Sequence, residues 1–334
     1  MINQQGGQYS NPLQATVKGI IDLFRKQKNV VSLSDDERLY GKNILITGAS
    51  SGLGFEAAVQ LAGRGARVFM ACRSGIPDKG EHVKRLSGSN KVEMLPVDLS
   101  DMRSIRKLVG HLANASVQLD ILICNAAVVP SKSRKTQQGL EEMFVVNYLA
   151  KYLFVRLLIE HRLFRNENKI IPRIIFVSSE SHRNPKAFEW EDFGKFREYS
   201  MGRTVELYGY YKLLMTTFAN ELSRRLNRTS ETTYSVFALC PGPVNSNIAR
   251  EAPAVFKPIL KLVFSIFFRS PKKAVGPVIF FSCSPEIEGK PIDYLFLMSR
   301  KEMDPKATSE KNGKTLWELS EKLLSEYGYI FQPL

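Results

Sequence analysis

Tyr208 and Lys212 are the two residues of this 334-residue chain whose types and spacing most directly suggest proton-transfer chemistry. On a helix, a separation of four residues places both side chains on one face. An ammonium next to a phenol favours the phenolate, so the spacing predicts that Lys212 lowers the pKa of Tyr208 toward neutral pH. The same spacing is common in unrelated surface pairs, and its interpretation therefore depends on the surrounding elements.

Short apolar strands alternate with helices over most of the chain. Strands are predicted at residues 42–47, 66–72, 92–97, 120–125, 173–178 and 234–239, and helices at 55–62, 102–112, 140–161 and from Tyr208 to about Arg225. This alternation predicts an α/β fold, a doubly wound parallel sheet covered by helices on both faces. Ligands of such a sheet bind beyond the carboxyl ends of its strands, where most of the candidate residues lie.

A glycine-rich turn follows the first predicted strand. Gly48, Gly52 and Gly54 allow a tight turn and a close approach of the backbone, so that amides at the start of the next helix can bind a pyrophosphate. The pattern is weak alone, but on a strand-turn-helix it predicts a dinucleotide site. The candidate cofactor-binding residues of this turn are Gly48, Ser50, Ser51, Gly52, Leu53 and Gly54.

The second predicted strand ends at Ala71-Cys72-Arg73. A carboxylate at this position would bind the ribose 2′-hydroxyl of NAD, whereas an arginine accommodates a 2′-phosphate. Because Arg73 is present and no acidic residue accompanies it, we expect the cofactor to be NADP(H).

The chain resembles the short-chain dehydrogenase/reductase family over roughly residues 40–300. The motifs that carry the resemblance occur in the family's order and are Thr47-Gly48-x3-Gly52-x-Gly54, Asp98-Leu99, Asn125-Ala126-Ala127, Asn147, Ser178-Ser179, Tyr208-x3-Lys212 and Pro241-Gly242. Together they are highly specific, and they imply a Rossmann fold.

The resemblance implies four catalytic residues, Ser179, Tyr208, Lys212 and Asn147. Tyr208 matches the acid/base, Lys212 the residue that binds the nicotinamide ribose and tunes Tyr208, and Asn147 the helix residue that holds a water on the proton relay. The hydroxyls of Ser179 and Tyr208 would stabilise the negative charge that develops on a carbonyl oxygen during hydride transfer. No metal is expected.

The resemblance also extends the cofactor site, with Tyr208 and Lys212 as shared members. Asp98 would lie near the adenine, Asn125 to Ala127 would border the adenine ribose, and the segment from Pro241 to Ser246 would contact the nicotinamide amide. The added cofactor-binding residues are Asp98, Leu99, Asn125, Ala126, Pro241, Gly242, Val244 and Ser246. Ala127 stands where the family usually has Gly, and Ser246 where Thr is usual.

Two stretches are expected to determine the substrate. Residues 180–204 form a long loop with five aromatic residues, and residues 254–270 carry many large apolar side chains at the position of the family's substrate lid. Such a lid predicts a bulky lipophilic substrate, an oligomer contact or a membrane contact, with simple capping of the core as the alternative. His182, in the loop, is expected to be solvated or to touch substrate.

Within the family, the retinol dehydrogenases and the light-dependent protochlorophyllide reductases look most similar. The first branch implies an NADPH-dependent enzyme that transfers a hydride to the carbonyl of a retinoid-, steroid- or lipid-like aldehyde or ketone. The alternatives are reduction of a tetrapyrrole double bond and a non-catalytic NADP-binding scaffold. Residues 147–151 read Asn-Tyr-Leu-Ala-Lys, where both branches have Asn-His-Leu-Gly-His, and this departure leaves the substrate open.

Charge and composition bear on partners and compartment. The chain has 47 basic and 33 acidic residues, a balance of +14 that suits a phosphorylated cofactor or an anionic membrane surface. No nucleic-acid-binding motif is present, so no nucleic-acid partner is expected. The four cysteines are far apart and are interpreted as buried thiols of a reducing compartment.

Three regions are predicted along the chain: an N-terminal extension at 1–40, a single Rossmann-fold domain at 41–300 that includes the lid, and a C-terminal helical tail at 301–334. The extension contains a basic amphipathic pattern at 13–28 that suits a membrane surface or packing on the domain. Its first 40 residues hold no apolar run typical of a signal peptide or membrane span. A cytoplasmic protein, peripheral on a membrane, is therefore expected.

Overall fold

The computed structural model describes residues 29–166, 170–244 and 269–334. Within these residues one sheet has eight strands in the order β3-β2-β1-β4-β5-β6-β7-β8. The strands are β1 Asn43–Thr47, β2 Arg67–Cys72, β3 Val92–Pro96, β4 Ile121–Cys124, β5 Arg173–Val177, β6 Ser235–Cys240, β7 Ile292–Phe296 and β8 Ser299–Arg300. All neighbours are parallel except β7 and β8. The predicted doubly wound parallel sheet is confirmed.

The helices lie between the strands and continue after the last one. They are α1 Gly52–Gly63, α2 Asp78–Ser87, α3 Met102–Asn114, α4 Glu142–Phe144, α5 Ala150–Glu160, α6 Met201–Leu226, α7 Pro271–Ala274, α8 Gly276–Cys283, α9 Pro305–Thr308 and α10 Glu310–Ser325. A π-helical segment, Val145–Leu149, joins α4 to α5, and 3₁₀ turns occupy Glu180–Arg183, Trp190–Asp192 and Pro285–Ile287. No helix of the described ranges is long and apolar enough to cross a membrane.

The core has two layers because each strand buries alternate side chains on opposite faces of the sheet. Leu45 and Leu122 face the layer that includes α3, α5, α6 and α10. Ile44 and Ile123 face the layer that includes α1 and α8. Parallel strands buried on both faces are continuously apolar, which is why their sequence pattern could be recognised.

Aromatic residues of the long loop before α6 pack on the core instead of standing free for substrate. The ring of Phe193 lies edge-on to that of Phe144 at 5.4 Å between centroids, and Tyr199 is buried. Phe188 and Trp190 stack on each other at 4.2 Å. The expectation that this loop is mainly a substrate element is therefore corrected for Phe193 and Tyr199, which stabilise the packing of the π-helical segment.

The four cysteines are free thiols, of which Cys72, Cys124 and Cys240 are buried and Cys283 is partly exposed. Within the described part of the chain, no group of His, Cys, Asp and Glu side chains is arranged to hold a metal ion.

Candidate active site

Six of the predicted motifs lie within two residues of the end of a strand, at one edge of the sheet. The residues at this carboxyl edge are Gly48 after β1, Arg73 after β2, Asp98 after β3, Asn125 after β4, Ser179 after β5 and Pro241 after β6. Because the six strands are parallel, their carboxyl ends meet on the same side of the molecule. The sheet therefore gathers motifs that are up to 193 residues apart, from position 48 to position 241.

The glycine turn has the backbone conformation that its sequence requires. Gly48 and Gly52 have φ angles of 68° and 58°, a region that favours glycine. A Cβ on Gly48 would lie 2.9 Å from the Cα of Ala126, so no larger residue fits there without a shift. The turn thus brings the backbone of β1 against the loop after β4, as a dinucleotide site needs.

The amino terminus of α1 presents its amides to this turn. Ser51 is exposed and extended, and no side chain of the described residues caps the helix there. The uncapped N–H groups and the positive end of the helix dipole suit a phosphate. These residues, with the half-buried Ser50 beside them, fit the pyrophosphate of a nicotinamide dinucleotide, whereas the buried Leu53 packs into the core.

Asn125 fixes the turn from the side of β4. Its Nδ2 donates to the carbonyls of Thr47 at 2.9 Å and Gly48 at 3.2 Å, and its backbone N–H donates to Oγ1 of Thr47 at 3.1 Å. A Cβ on Gly54 would lie 2.5 Å from that Nδ2. The Asn125 amide therefore occupies space that is open only because residue 54 is a glycine. Its hydrogen bonds to Thr47 and Gly48 stabilise the conformation of the glycine turn.

Arg73 and Asp98 form an ion pair at the ends of β2 and β3, with 3.9 Å between Nη1 and Oδ2. Their side chains are 51% and 39% exposed, so both can still meet a ligand. Oδ1 of Asp98 accepts from the backbone N–H of Ser100 at 2.9 Å, which fixes the carboxylate. Leu99, next to Asp98, is buried.

The hydroxyl of Ser179 lies close enough to that of Tyr208 to lower the pKa of the phenol. Oγ of Ser179 also accepts from the backbone N–H of Ser181 at 3.2 Å and from its hydroxyl at 2.9 Å. Gly209, beside Tyr208, allows this contact, since a Cβ there would lie 2.8 Å from the carbonyl oxygen of Ser181. The glycine after Tyr208 thus brings the Ser179 turn against α6.

The pKa of Tyr208 differs from the sequence-based prediction. Burial raises the pKa of Tyr208 above its ordinary value, and the hydrogen bond from Ser179 only partly opposes this. The predicted lowering of the pKa is therefore wrong, because desolvation determines the direction of the shift. At neutral pH Tyr208 is a neutral phenol that can donate a proton.

Lys212 lies behind Tyr208, fully buried on α6. Its Nζ donates to the carbonyl of Val177 at 2.7 Å and is 5.4 Å from the centroid of the Tyr208 ring. Burial lowers the pKa of Lys212 well below its ordinary value, and the positive charge of Lys151 lowers it further. The four-residue spacing thus places the pair together on one face of a helix, as predicted.

Asn147 lies in the π-helical segment and is fully buried. Its side chain forms two hydrogen bonds with the backbone of Val128, donating to the carbonyl at 2.9 Å and accepting from the N–H at 2.9 Å. Both polar atoms of the side chain therefore have a partner, and the backbone carbonyl of Asn147 accepts from Nζ of Lys151 at 3.1 Å. Single-turn π-helices are often found at functional sites.

His182 and Glu141 support the site and were not recognised from the sequence. His182, expected to be solvated, is fully buried, with Nδ1 2.7 Å from the carbonyl of Ser179 and Nε2 accepting from the N–H of Asp304 at 3.3 Å. Burial lowers the pKa of His182 to about 4, so the ring is neutral, and it connects Ser179 to the segment before α9.

Glu141 caps the helical run that carries Asn147. Its carboxylate accepts from the N–H groups of Met143 at 2.9 Å and Phe144 at 2.8 Å, and from the hydroxyl of Tyr199 at 2.8 Å. Burial raises the pKa of Glu141, while these donors oppose the shift. An acidic residue before a helix is a detectable capping signal, but its burial and its tyrosine partner depend on the folded loop.

The segment after β6 is described only in part. Pro241 is buried, Gly242 has a φ of 75°, and Val244 pairs with Arg269 in an isolated bridge. Ser246, residues 254–268 of the predicted lid and the basic amphipathic pattern at 13–28 lie outside the described residues. Their predicted roles therefore stay predictions.

The arrangement has the parts that a carbonyl reductase requires. The hydroxyls of Ser179 and Tyr208 lie near each other, a buried amine lies beside the Tyr208 ring, and a turn suited to a dinucleotide lies along the same edge. Such donors can stabilise an oxyanion and deliver a proton to it.

Comparison with known proteins gives the family. The short chain dehydrogenase model matches residues 42–189. Retinol dehydrogenase 14 of Mus musculus is 32% identical over 304 residues, covering 87% of this chain and 88% of the relative. Retinol dehydrogenase 12 of Homo sapiens is 33% identical over 291 residues, covering 86% and 87%.

A solved structure extends the match to the fold. An uncharacterized protein from Mycobacterium Paratuberculosis is 25% identical, with a TM-score of 0.68, and covers 91% of this chain and 100% of its own. Three observations point to the same family: the similarity in sequence, the order of the strands and the position of the site at the carboxyl edge of the sheet. The chain belongs to the short-chain dehydrogenase/reductase family and is a retinol dehydrogenase-like oxidoreductase of that family, whose cofactor is NAD(H) or NADP(H).

Proposed function

We propose that this protein is an NADPH-dependent reductase that transfers a hydride to the carbonyl of a bulky lipophilic aldehyde or ketone. The observation that carries this proposal is the hydroxyl pair of Ser179 and Tyr208, with Lys212 buried directly behind it. A cofactor-binding scaffold without activity has no need of this arrangement.

The residues account for the proton side of the reaction. When bound, the nicotinamide supplies the hydride to the carbonyl carbon. The hydroxyls of Ser179 and Tyr208 donate hydrogen bonds to the carbonyl oxygen, and Tyr208 gives its proton to that oxygen as the alcohol forms. Because burial raises the pKa of Tyr208, the phenol is protonated at neutral pH, which favours reduction over alcohol oxidation.

Preference for NADPH is supported by Arg73. Its guanidinium is half exposed at the end of β2 and lies 3.9 Å from the carboxylate of Asp98, which holds it at the carboxyl edge. A guanidinium at this position suits a dianionic 2′-phosphate in a charge-assisted, two-point contact.

The cofactor preference has a matched control on the same strand. Arg67, at the opposite end of β2, is also 51% exposed and is paired with Glu93. We expect Arg73→Ala to raise the KM for NADPH about tenfold or more, the loss of a charge-assisted contact, with little change for NADH. Arg67→Ala should change neither. An equal loss for both cofactors in Arg73→Ala would contradict the phosphate role.

A lipophilic substrate is supported by the face of α6 that carries Tyr208. Met201 and Val205 lie on this face, seven and three residues before Tyr208, and are 50% and 48% exposed. Apolar side chains beside the proton donor suit an apolar substrate. The two relatives named above are retinol dehydrogenases, which makes a retinoid-like molecule the first candidate.

Peripheral attachment to an anionic membrane is part of the proposal, since a lipophilic substrate partitions into lipid and the chain has a balance of +14. Flotation with vesicles that contain phosphatidylserine should be strong at low salt and weak at high salt. Vesicles of phosphatidylcholine alone are the control. If a chain lacking residues 1–40 and the full chain float equally, the predicted contact of the N-terminal extension is wrong.

The activity itself is tested by following NADPH oxidation in the dark. Retinal, a steroid ketone and a long-chain aldehyde are the substrates, and a short-chain aldehyde is the matched control that lacks apolar bulk. We expect turnover with at least one lipophilic carbonyl and a kcat/KM well above that of the control. Absence of dark turnover with every carbonyl would contradict the proposal. Reduction of protochlorophyllide only under illumination would instead support the tetrapyrrole alternative.

A further inference from the structure

Lys151 is a buried lysine directly beside the catalytic residues. Only 2% of its surface is exposed, and its Nζ donates to the carbonyls of Ala126 at 2.8 Å, Val146 at 2.8 Å and Asn147 at 3.1 Å. These three acceptors use the three donors of an ammonium. The side chain is therefore fixed between the loop after β4 and the π-helical segment.

The π-helical segment makes this contact geometrically accessible. In a π-helix the backbone N–H bonds reach back five residues, as the N–H of Ala150 does to the carbonyl of Val145. The side chain of Lys151 reaches back in the same direction to the carbonyls of Val146 and Asn147. The ammonium of Lys151 thus donates to two backbone carbonyls of the π-helical segment.

The charge of Lys151 has no counter-ion among residues 29–166, 170–244 and 269–334, where its Nζ has only carbonyl partners. The titratable groups that face it are the thiol of Cys124 on β4 and the amine of Lys212 on α6. Lys212 in turn faces Cys240 on β6 and the ring of Tyr208. Burial raises the pKa of Cys124 to about 12 and that of Cys240 to about 11, so both thiols are neutral.

Two buried amines therefore share one region, and within the described part of the chain both donate to backbone carbonyls alone. The carboxylate of Glu180 acts on Cys240, on the far side of Lys212 from Lys151 in this chain of contacts. A buried charge without a partner is costly, and two such charges compete. Burial lowers the pKa of Lys151 to about 8, and the charge of Lys151 contributes to the lowered pKa of Lys212. The two lysines titrate as a coupled pair, in which protonation of one opposes protonation of the other.

We propose that Lys151 is a positioning residue of the proton relay, one that occupies the Asn147 carbonyl in place of the family's water and, through its charge, sets the pH range over which Lys212 and Tyr208 exchange protons. This inference rests on the proposed carbonyl reduction. It also assigns a function to the lysine where the two similar branches have histidine.

The activity test compares Lys151→Met and Lys151→Gln with the wild type. In reduction, the rate falls with rising pH as the coupled unit of Lys212 and Tyr208 loses its relay proton. Removing the charge of Lys151 lets that unit keep its proton longer, so the midpoint of this fall should move up by about one pH unit in both variants. A glutamine can retain a hydrogen bond to a carbonyl, so equal shifts in the two variants identify the charge as the cause.

The matched control is Arg156→Met, which removes another buried cation from the same helix. Arg156 is 1% exposed and pairs with Glu321 at 2.7 Å, away from the proton relay. This variant should lose stability but keep the wild-type midpoint. If the midpoint in the folded Lys151→Met and Lys151→Gln variants moves by less than about a third of the expected shift of one pH unit, the inference is overturned.

A second readout needs neither cofactor nor substrate. The pKa of Lys151 is about 8 in the folded protein against 10.5 for a free lysine, so between these values the unfolded chain binds the extra proton. Lys151 should therefore contribute a rise in stability with pH between about 8 and 10.5, opposed in the wild type by the raised pKa values of the buried thiols. The plot of stability against pH should have a smaller slope in the Lys151 variants than in the wild type, by about one bound proton. Arg156→Met should keep the full slope.

The two readouts separate failure of this inference from failure of the proposed function. If the wild type reduces no carbonyl, the proposed function fails, and the stability slope still tests the coupling of the lysines. A wild-type slope in both Lys151 variants would show that Lys151 binds no proton differently in the two states, and it would overturn the inference.

Discussion

Two faces of one helical run, the π-helical segment and α5, perform different tasks with similar residues. Asn147 and Lys151, four residues apart, face the loop after β4, and the charge of Lys151 also acts on Lys212. Tyr148, Tyr152 and Arg156, also spaced by four, face α10 and the chain end. The faces are offset by a single residue, so adjacent positions belong to different parts of the protein.

On the face toward α10, the buried cation Arg156 has a carboxylate partner, Glu321. Tyr148 and Ser320 share a hydrogen bond of 2.5 Å, and the Tyr152 ring lies 5.1 Å from that of Trp317. The guanidinium of Arg156 donates to Glu321 at 2.7 Å and to the carbonyl of Gln332 at 2.7 Å, and it lies 4.8 Å from the Trp317 ring centroid. This face binds the C-terminal segment to the domain.

The face toward the active site lacks such compensation, since Lys151 has only carbonyl partners within the described residues. A buried cation with a carboxylate partner is a structural contact, whereas one without a counter-ion is sensitive to pH and to neighbouring charge. Arg156 and Lys151 are both buried on the same helix, so burial and position do not distinguish a structural cation from a functional one. The presence or absence of a carboxylate partner does.

The largest effect on stability is expected on the α10 face. Arg156→Met removes the ion pair and both hydrogen bonds, and it should lower the free energy of unfolding by about 3 kcal/mol. Urea unfolding measures this loss, and kcat at 25 °C should stay within about twofold of the wild type, since no step of the reaction uses Arg156. A large fall in kcat with unchanged stability would reverse the assignment of the two faces.

His182, which connects Ser179 to Asp304, should make stability depend on pH in the acid range. Its pKa is about 4 in the folded protein against 6.5 for a free histidine, so between these values the unfolded chain binds the extra proton. Stability should be complete above pH 6.5 and should fall by about 3 kcal/mol as the pH approaches 4.

The control for this pH dependence uses a second histidine. His182→Asn should reduce the loss of stability between pH 6.5 and 4, whereas replacement of the exposed His111 by Asn should leave it unchanged. Urea unfolding at several pH values gives the comparison. Equal pH dependence in the wild type and His182→Asn would show that His182 is not held neutral by burial.

A smaller effect is expected for the hydroxyl of Tyr148. Tyr148→Phe and Ser320→Ala should each cost about 1 kcal/mol, and the double variant should cost clearly less than the sum, because both remove the same hydrogen bond. Turnover should be unaffected. Additive losses would show that the two hydroxyls contribute independently, and loss of turnover would show that this face reaches the active site.

The sequence was sufficient for the sheet and the cofactor turn. The first six strands are continuous apolar runs, and Gly48, Gly52 and Gly54 are required by local backbone geometry, so neighbouring residues determine both. The placement of Ser179, Tyr208 and Lys212 followed from the parallel sheet and the four-residue spacing.

Other features depend on contacts between distant segments. β7 and β8 were not predicted, since β7 contains Asp293 and β8 has only two residues. The burial of His182 depends on Asp304, which is 122 positions away. The direction of the Tyr208 pKa was predicted wrongly because the spacing shows the neighbouring amine but not the extent of desolvation.

Replacement of Tyr208 by Phe tests the central claim most directly. The variant keeps the ring and removes the hydroxyl that donates to the carbonyl oxygen, while Lys212 keeps its bond to Val177. With retinal or whichever lipophilic carbonyl the wild type reduces, kcat/KM for NADPH-dependent reduction should fall about 10³-fold at pH 7, with unfolding close to that of the wild type. A folded variant that retains turnover within tenfold of the wild type would contradict the assignment of Tyr208 as the proton donor.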